Sequence, residues 1–313
     1  MKAFITGIEG FAGHYLARLL RAQGHGVAGC FYDQSQAAGL PEGCELHRLD
    51  LRDRAATAAV IGAARPDRIY HLAAQSSAAL SFRDPAVTYD VNVGGLVNLL
   101  EAVRAAALAP RFLLVSSCEV YGPTDGDSPI VETQPFNPVS PYAASKVAQE
   151  VLGMQYHRSF GIDVVVARSF PHAGPGQPPV FALPGFARQI AEIVRGHQPP
   201  VIKAGNLEAR RDFSHVADVA EAYALLADSG AAGEAYNVCS GGTLSIGEAL
   251  DKLITFSARA IAVEVDPARL RPNDVPVLWG DSAKLKARTG WSPRRNVDDA
   301  LKELLDFWMD RAT

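Results

Sequence analysis

Three glycines, Gly7, Gly10 and Gly13, follow the apolar run Ala3 to Thr6 and precede a stretch, His14 to Arg21, whose apolar residues recur at helical spacing. A strand that turns through glycines straight into a helix leaves few architectures open. In TGIEGFAG the missing side chains let a ligand approach the backbone, and the free amides at the helix start, around Phe11 and Ala12, favour an anion such as a pyrophosphate. The turn therefore predicts a dinucleotide site at the very start of the chain.

Further strands are predicted at Gly26 to Tyr32, Glu45 to Leu49, Ile69 to Leu72, Phe112 to Val115 and Asp163 to Ala167. Long alanine-rich helical patterns run over residues 86–107 and 142–159. This alternation predicts an α/β fold, a Rossmann-type doubly wound parallel sheet over residues 1–170 that binds NAD(P). After Arg168 the sequence SFPHAGPGQPPVFALPG is loop chemistry and marks a boundary. Residues 171–313 are expected to form mainly a smaller C-terminal α/β substrate domain, with part of about 212–240 returning to the first. SIGE at Ser245 to Glu248 is a capping box, and Val297 to Trp308 carries an apolar stripe at helical spacing.

The stretch from Ser116 to Lys146 carries the chemistry. Tyr142 and Lys146 are four residues apart, one turn on a helix, and Ser140 and Pro141 read as N-cap and first helical residue. A cation beside the phenol and the positive end of the helix dipole are both expected to lower the tyrosine pKa from about 10 toward acid–base range. Ser117, at the end of an apolar strand, is placed to hold a substrate oxygen beside that phenol. Together these predict a site that moves a proton on and off an alcohol or ketone. Along the cofactor's path, Asp33 stands where a ribose diol would bind or where a turn would need it, and Asp50 meets an adenine or caps a helix. The small residues Ala73 and Ala74 let a cofactor lie against the backbone. No arginine follows the second strand closely, so NADPH and NADH both stay open. Two arginine-bearing segments, with Arg210 and Arg211 and with Arg269 and Arg271, read as a clamp for a diphosphate.

Thirty basic against 34 acidic residues give a net charge of −4 with no block of one sign, which argues against nucleic acid or an anionic membrane as partner. No apolar run reaches the ~18 residues of a membrane span, and MKAFITG enters a strand directly, so a soluble cytoplasmic protein is expected. Cys30, Cys44, Cys118 and Cys239 show no metal spacing; reduced thiols and no structural metal are expected.

With these features the chain resembles the extended short-chain dehydrogenase/reductases that act on nucleotide sugars. The resemblance spans nearly the whole chain through TGxxGxxG, HLAAQSS at His71 to Ser77, VYG at Val120 to Gly122, YxxxK and RDFSHVADV at Arg211 to Val219. DPAVTYDVNVGG, HAGPGQ, GNLEARRDF and RLRPNDVPVLWGD are similar to the GDP-mannose branch, which holds a 4,6-dehydratase and a 4-keto reductase. The short chain, the GPGQ loop and the absence of dehydratase-like arginines after the second strand look more like the reductase. The resemblance implies cofactor contacts at Gly7, Gly10, Gly13, Asp50, Leu51, Leu72, Ala74, Tyr89, Lys146 and His172. It implies a triad of Ser117, Tyr142 and Lys146, and GDP-sugar contacts at Arg211, Arg271, Arg188 and Asn273. It also implies a homodimer through the two long helices. Glu119 stands where a dehydratase keeps a base and where a reductase could hydrogen-bond the sugar; Cys118 replaces the Asp that dTDP-glucose dehydratases use beside it. Pro171 replaces an Asn common in relatives. The implied reaction is reduction of the C4 keto group of GDP-4-keto-6-deoxy-D-mannose to GDP-D-rhamnose. A 4,6-dehydratase or 4-epimerase is the alternative, and a non-catalytic nucleotide sensor is disfavoured because Tyr142 and Lys146 are both kept.

Overall fold

The computed structural model describes residues 1–32, 39–126, 128–270 and 274–311. Six strands, β1 (Lys2–Thr6), β2 (Gly26–Phe31), β3 (Glu45–Arg48), β4 (Arg68–His71), β5 (Arg111–Ser117) and β6 (Asp163–Ser169), join a seventh, Ala235–Val238, in one parallel sheet. Its order is Ala235–Val238, β6, β5, β4, β1, β2, β3. Successive residues of the central strands are apolar because both faces are covered, whereas β3, at the sheet edge, is mostly exposed. Ala3 and Ile5 face a core with Leu16 and Leu20 of α1 (Phe11–Ala22), while Phe4 faces Ile61 of α2 (Arg54–Ala64) on the other side. The strand order reverses between β1 and β4, so the carboxyl ends of the strands open a crevice there.

Where the sequence reads as one long helix over 86–107, the chain forms α4 (Pro85–Tyr89), a π turn at Asp90–Gly94 and α5 (Gly95–Ala105); the short α3 (Ala78–Arg83) precedes them. The interruption has a polar cause. Buried Asn92 accepts from the Gln75 amide at 2.7 Å and donates to Ser145 Oγ at 2.9 Å, and its carbonyl accepts from Gln149 at 2.6 Å. These bonds tie the π turn to α6 (Pro141–Phe160), the helix that carries Tyr142 and Lys146.

Beyond residue 170 the chain builds a second core from α7 (Ala182–Val194), α9 (Ile246–Ser257) and α10 (Val297–Arg311), where Phe186, Ile190, Leu250, Leu253, Leu301 and Leu304 meet. Between these, α8 (Val216–Ser229) packs Val219, Tyr223 and Leu226 into the α1 side of the sheet, and Ala235–Val238 pairs with β6. The capping box opening α9 is complete: Ser245 Oγ accepts from the Glu248 amide at 2.9 Å, and the Glu248 carboxylate accepts from the Ser245 amide at 2.7 Å. Among the described residues no helix is long and apolar enough to cross a membrane, and all four cysteines are free.

Candidate active site

A cleft of about 820 Å³ runs over the carboxyl ends of the sheet strands. At its first end the chain leaves β1 through Gly7, at φ +67°, where a Cβ would sit 3.0 Å from the Ala73 backbone. The amides of Gly7 and Ile8 both donate to the Cys30 carbonyl, which fixes the turn against β2. Helix α1 begins at Phe11 without a side-chain cap. Its first amides and the positive end of its dipole are thus left to the cleft, and a glycine-lined, uncapped helix start fits a pyrophosphate.

Phe11, Ala12, Leu51, Leu72, Ala73 and Ala74 line the cleft beyond this turn. His172 lines it too, stacked on Phe11 with ring centroids 5.7 Å apart. Asp50 also lines it, but its carboxylate is gripped by Arg52 through Nε at 3.0 Å and Nη2 at 2.7 Å, which holds it below the usual carboxylate range. Tyr89 ends α4 exposed and outside the lining, where Val87 and Val91 stand instead. Asp33 lies outside the described residues. Glu9 and Tyr32, which carry no spacing signal in the sequence, also line the cleft.

Deeper in, Ser140 Oγ caps α6 by accepting from the Ala143 amide at 3.0 Å, with Pro141 as first helical residue. That places Tyr142 in the first turn and Lys146 one turn on, both buried and both lining the cleft. Ser117 ends β5 with its Oγ accepting from the Glu119 amide at 3.2 Å, and its side chain hydrogen-bonds Tyr142. Lys146 Nζ donates to the Val115 carbonyl at 2.9 Å and lies 6.0 Å from the Tyr142 ring centroid.

The electrostatics run opposite to the expectation for the phenol. Burial, first, and the Glu119 carboxylate, second, push Tyr142 above its ordinary value, and the hydrogen bond with Ser117 only partly offsets them. Burial acts on Lys146 as well: its pKa falls to about 8, with Glu150 opposing the fall. The tyrosine is therefore a neutral donor throughout the physiological range. A buried ion pair supports the arrangement from behind. Arg168 grips Glu150 through Nε at 3.0 Å and Nη2 at 2.8 Å, and Ser116 donates to the same carboxylate at 2.5 Å. An arginine inside the otherwise apolar run VVVARS was the available signal for it.

Glu119 lines the cleft from a 3-10 turn and accepts from Ser140 Oγ at 3.5 Å. Cys118 beside it is buried, and its thiol is pushed up by desolvation, so it is neutral. Of the arginines, Arg211 lines the cleft, held by Asp274 at 2.8 Å and the Val275 carbonyl at 2.8 Å. Arg210 does not join it: Nε donates to Thr243 and the head pairs with Glu248 at 3.2 Å. Arg269 pairs with Asp266 at 3.4 Å, and Arg188 is exposed on α7 outside the lining. Arg271 and Asn273 lie outside the described residues. Among the described residues, one of the three clamp arginines, Arg211, lines the cleft.

The model of the GDP-mannose 4,6 dehydratase family matches residues 4–304. The chain belongs to that family. GDP-6-deoxy-D-mannose reductase of Pseudomonas aeruginosa is 36% identical over 311 residues, covering 99% of this chain and 98% of the relative. GDP-mannose 4,6-dehydratase of Yersinia enterocolitica is 30% identical over 347 residues, covering 97% and 92%. Among solved structures, RMD from Pseudomonas aeruginosa complexed with NADPH superposes with TM-score 0.85 at 34% identity over 99% of both chains. UDP-glucose 4-epimerase of Thermus thermophilus in complex with NAD gives 0.89 at 31% identity over 100% of both. Members of the GDP-mannose 4,6 dehydratase family thus share with this chain both sequence and a doubly wound sheet.

Proposed function

We propose that this chain is a nicotinamide-dependent oxidoreductase that reduces the C4 keto group of GDP-4-keto-6-deoxy-D-mannose to GDP-D-rhamnose. The observation that carries the reading is the buried Tyr142 kept neutral beside Ser117. A ketone that gains hydride needs a proton at oxygen, and a phenol held protonated supplies it. Reduced nicotinamide, when bound, supplies the hydride. Ser117 Oγ accepts a backbone bond from Glu119, and its O–H, which bonds the Tyr142 phenol, turns to the substrate oxygen when the keto sugar is bound. Tyr142 gives its proton to that oxygen, and Lys146 steadies the resulting phenolate by charge. Arg211 meets the diphosphate. The end-to-end likeness to the Pseudomonas reductase supports this substrate. Glu119, in the cleft beside Tyr142, is the specific observation favouring a second reading, the 4,6-dehydratase.

The cofactor site is assigned to residues 1–170 with the returning part of about 212–240, and the sugar site to the rest of 171–313. A cytoplasmic homodimer fits the free cysteines and the exposed Val87, Val151 and Phe160 on α4 and α6. The direct test is Tyr142→Phe. Turnover should fall by roughly 10²- to 10⁴-fold, the usual worth of a positioned acid, while nicotinamide dinucleotide binding, read by fluorescence, stays within about twofold. Unchanged turnover would remove the tyrosine from the mechanism.

A further inference from the structure

The acidic residue inside the glycine-rich turn has no part in the chemistry above. Glu9 lines the cleft, and its Oε1 accepts from the Tyr32 amide at 2.8 Å. Tyr32 is the first residue beyond β2, and the amides of Gly7 and Ile8 donate to the Cys30 carbonyl at 3.0 and 3.2 Å. Turn and strand end are thereby fastened at three points, with the carboxylate between them. Glu9 Oε2 is buried and has no hydrogen-bond partner among the described residues. The carboxylate thus receives a single donor from the described residues while lining the cleft, and it has acceptor capacity left for a ligand hydroxyl.

The end of the second strand of a doubly wound sheet is where a dinucleotide's adenosine ribose lies. NADH and NADPH differ there by one group. The 2′-hydroxyl of NADH donates a hydrogen bond, whereas the 2′-phosphate of NADPH brings about two negative charges near neutral pH and only acceptor oxygens. We propose that Glu9 is the residue that sets cofactor choice in this chain, accepting from the ribose 2′-hydroxyl and repelling a 2′-phosphate, so that NADH is preferred over NADPH. The inference rests on the nicotinamide-dependent reading above. Neighbouring cations do not reverse it. Arg52 is locked onto Asp50 and has Asp90 at 3.7 Å. Arg48 lines an adjoining recess together with two carboxylates, Asp50 and Asp53.

The test is equilibrium binding of NADH and of NADPH, followed by nucleotide fluorescence without any sugar, to the wild-type protein and to Glu9→Gln, Glu9→Ser and Arg48→Ala. Wild type should bind NADH at least about tenfold more tightly than NADPH. Glu9→Gln keeps the shape and removes the charge; it should bring the ratio within about threefold, chiefly by tightening NADPH. Glu9→Ser should move the ratio the same way, and serves if the Gln variant melts early. Arg48→Ala should leave the preference in place. Equal or tighter NADPH binding by wild type, or an unchanged ratio in both Glu9 variants, would overturn the role of Glu9. Binding of neither dinucleotide by wild type would overturn it together with the cofactor reading, whereas NADH binding without turnover of any sugar would overturn only the substrate assignment.

Discussion

Lys146 holds a charged group in a place that discourages charge. Burial lowers its pKa to about 8, against about 10.5 for a free lysine, so at neutral pH the folded protein carries an ammonium it would be more stable without. Between about pH 8 and 10.5 the unfolded chain binds more protons at this residue than the folded one. This residue's contribution to stability therefore rises with pH through that window and is at its lowest below it. Lys146→Met should remove this slope and raise stability near pH 7 by roughly 1–3 kcal/mol, while turnover is lost; thermal melts between pH 6 and 10 would check it. A lower melting temperature for the variant at every pH would show that the bond to the Val115 carbonyl outweighs the buried charge. Spacing was enough to set Tyr142 and Lys146 one turn apart. It was not enough to give the direction of the phenol's shift, which depends on how deep the pair lies and on Glu119 from another segment. Glu150 and Arg168 were illegible for the same reason: their pairing joins residues 18 apart through the interior.

At the scale of the element, the turn from β1 to α1 depends on close backbone packing. A Cβ on Gly13 would stand 2.5 Å from the Gly7 carbonyl oxygen and 2.7 Å from that of Ile8, both backbone atoms. Gly13→Ala should therefore open the turn, cost about 1–3 kcal/mol and weaken dinucleotide binding by at least about tenfold. Gly62 in the last turn of α2 is the control, since a Cβ there meets nothing within 4 Å. Gly62→Ala should stabilise by about 0.5–1 kcal/mol with binding unchanged, and equal melts and affinities for the two variants would contradict the packing argument. Strand-turn-helix units of this kind were legible because each element carries its own period and its own breakers. The π turn was not: DVNVGG keeps a helical pattern, and only the bonds of Asn92 to Gln75, Ser145 and Gln149 select the extra residue.

In the whole molecule, the cleft lies where the second core meets the sheet. Fully buried Asp212 accepts from the Ser240 amide at 2.8 Å, from Ser240 Oγ at 2.5 Å and from the Gly241 amide at 2.9 Å, which fastens the segment carrying Arg211 to the loop after Ala235–Val238. RDFSHVADV announced that segment, but only the three-dimensional partners separate Arg211, in the cleft, from Arg210, turned toward Thr243 and Glu248. The cleft thus joins a proton donor, a pyrophosphate cradle and Arg211, a set suited to reducing a keto sugar. The purified protein should be given GDP-4-keto-6-deoxymannose with NADH or NADPH and, separately, GDP-mannose with no reductant, following nicotinamide absorbance and the sugar product. One reduced cofactor should be consumed for each keto sugar converted to a 6-deoxyhexose, and GDP-mannose should not be converted. Production of the keto sugar from GDP-mannose with no net use of reductant would contradict the reductase reading and make Glu119 the base of a dehydratase.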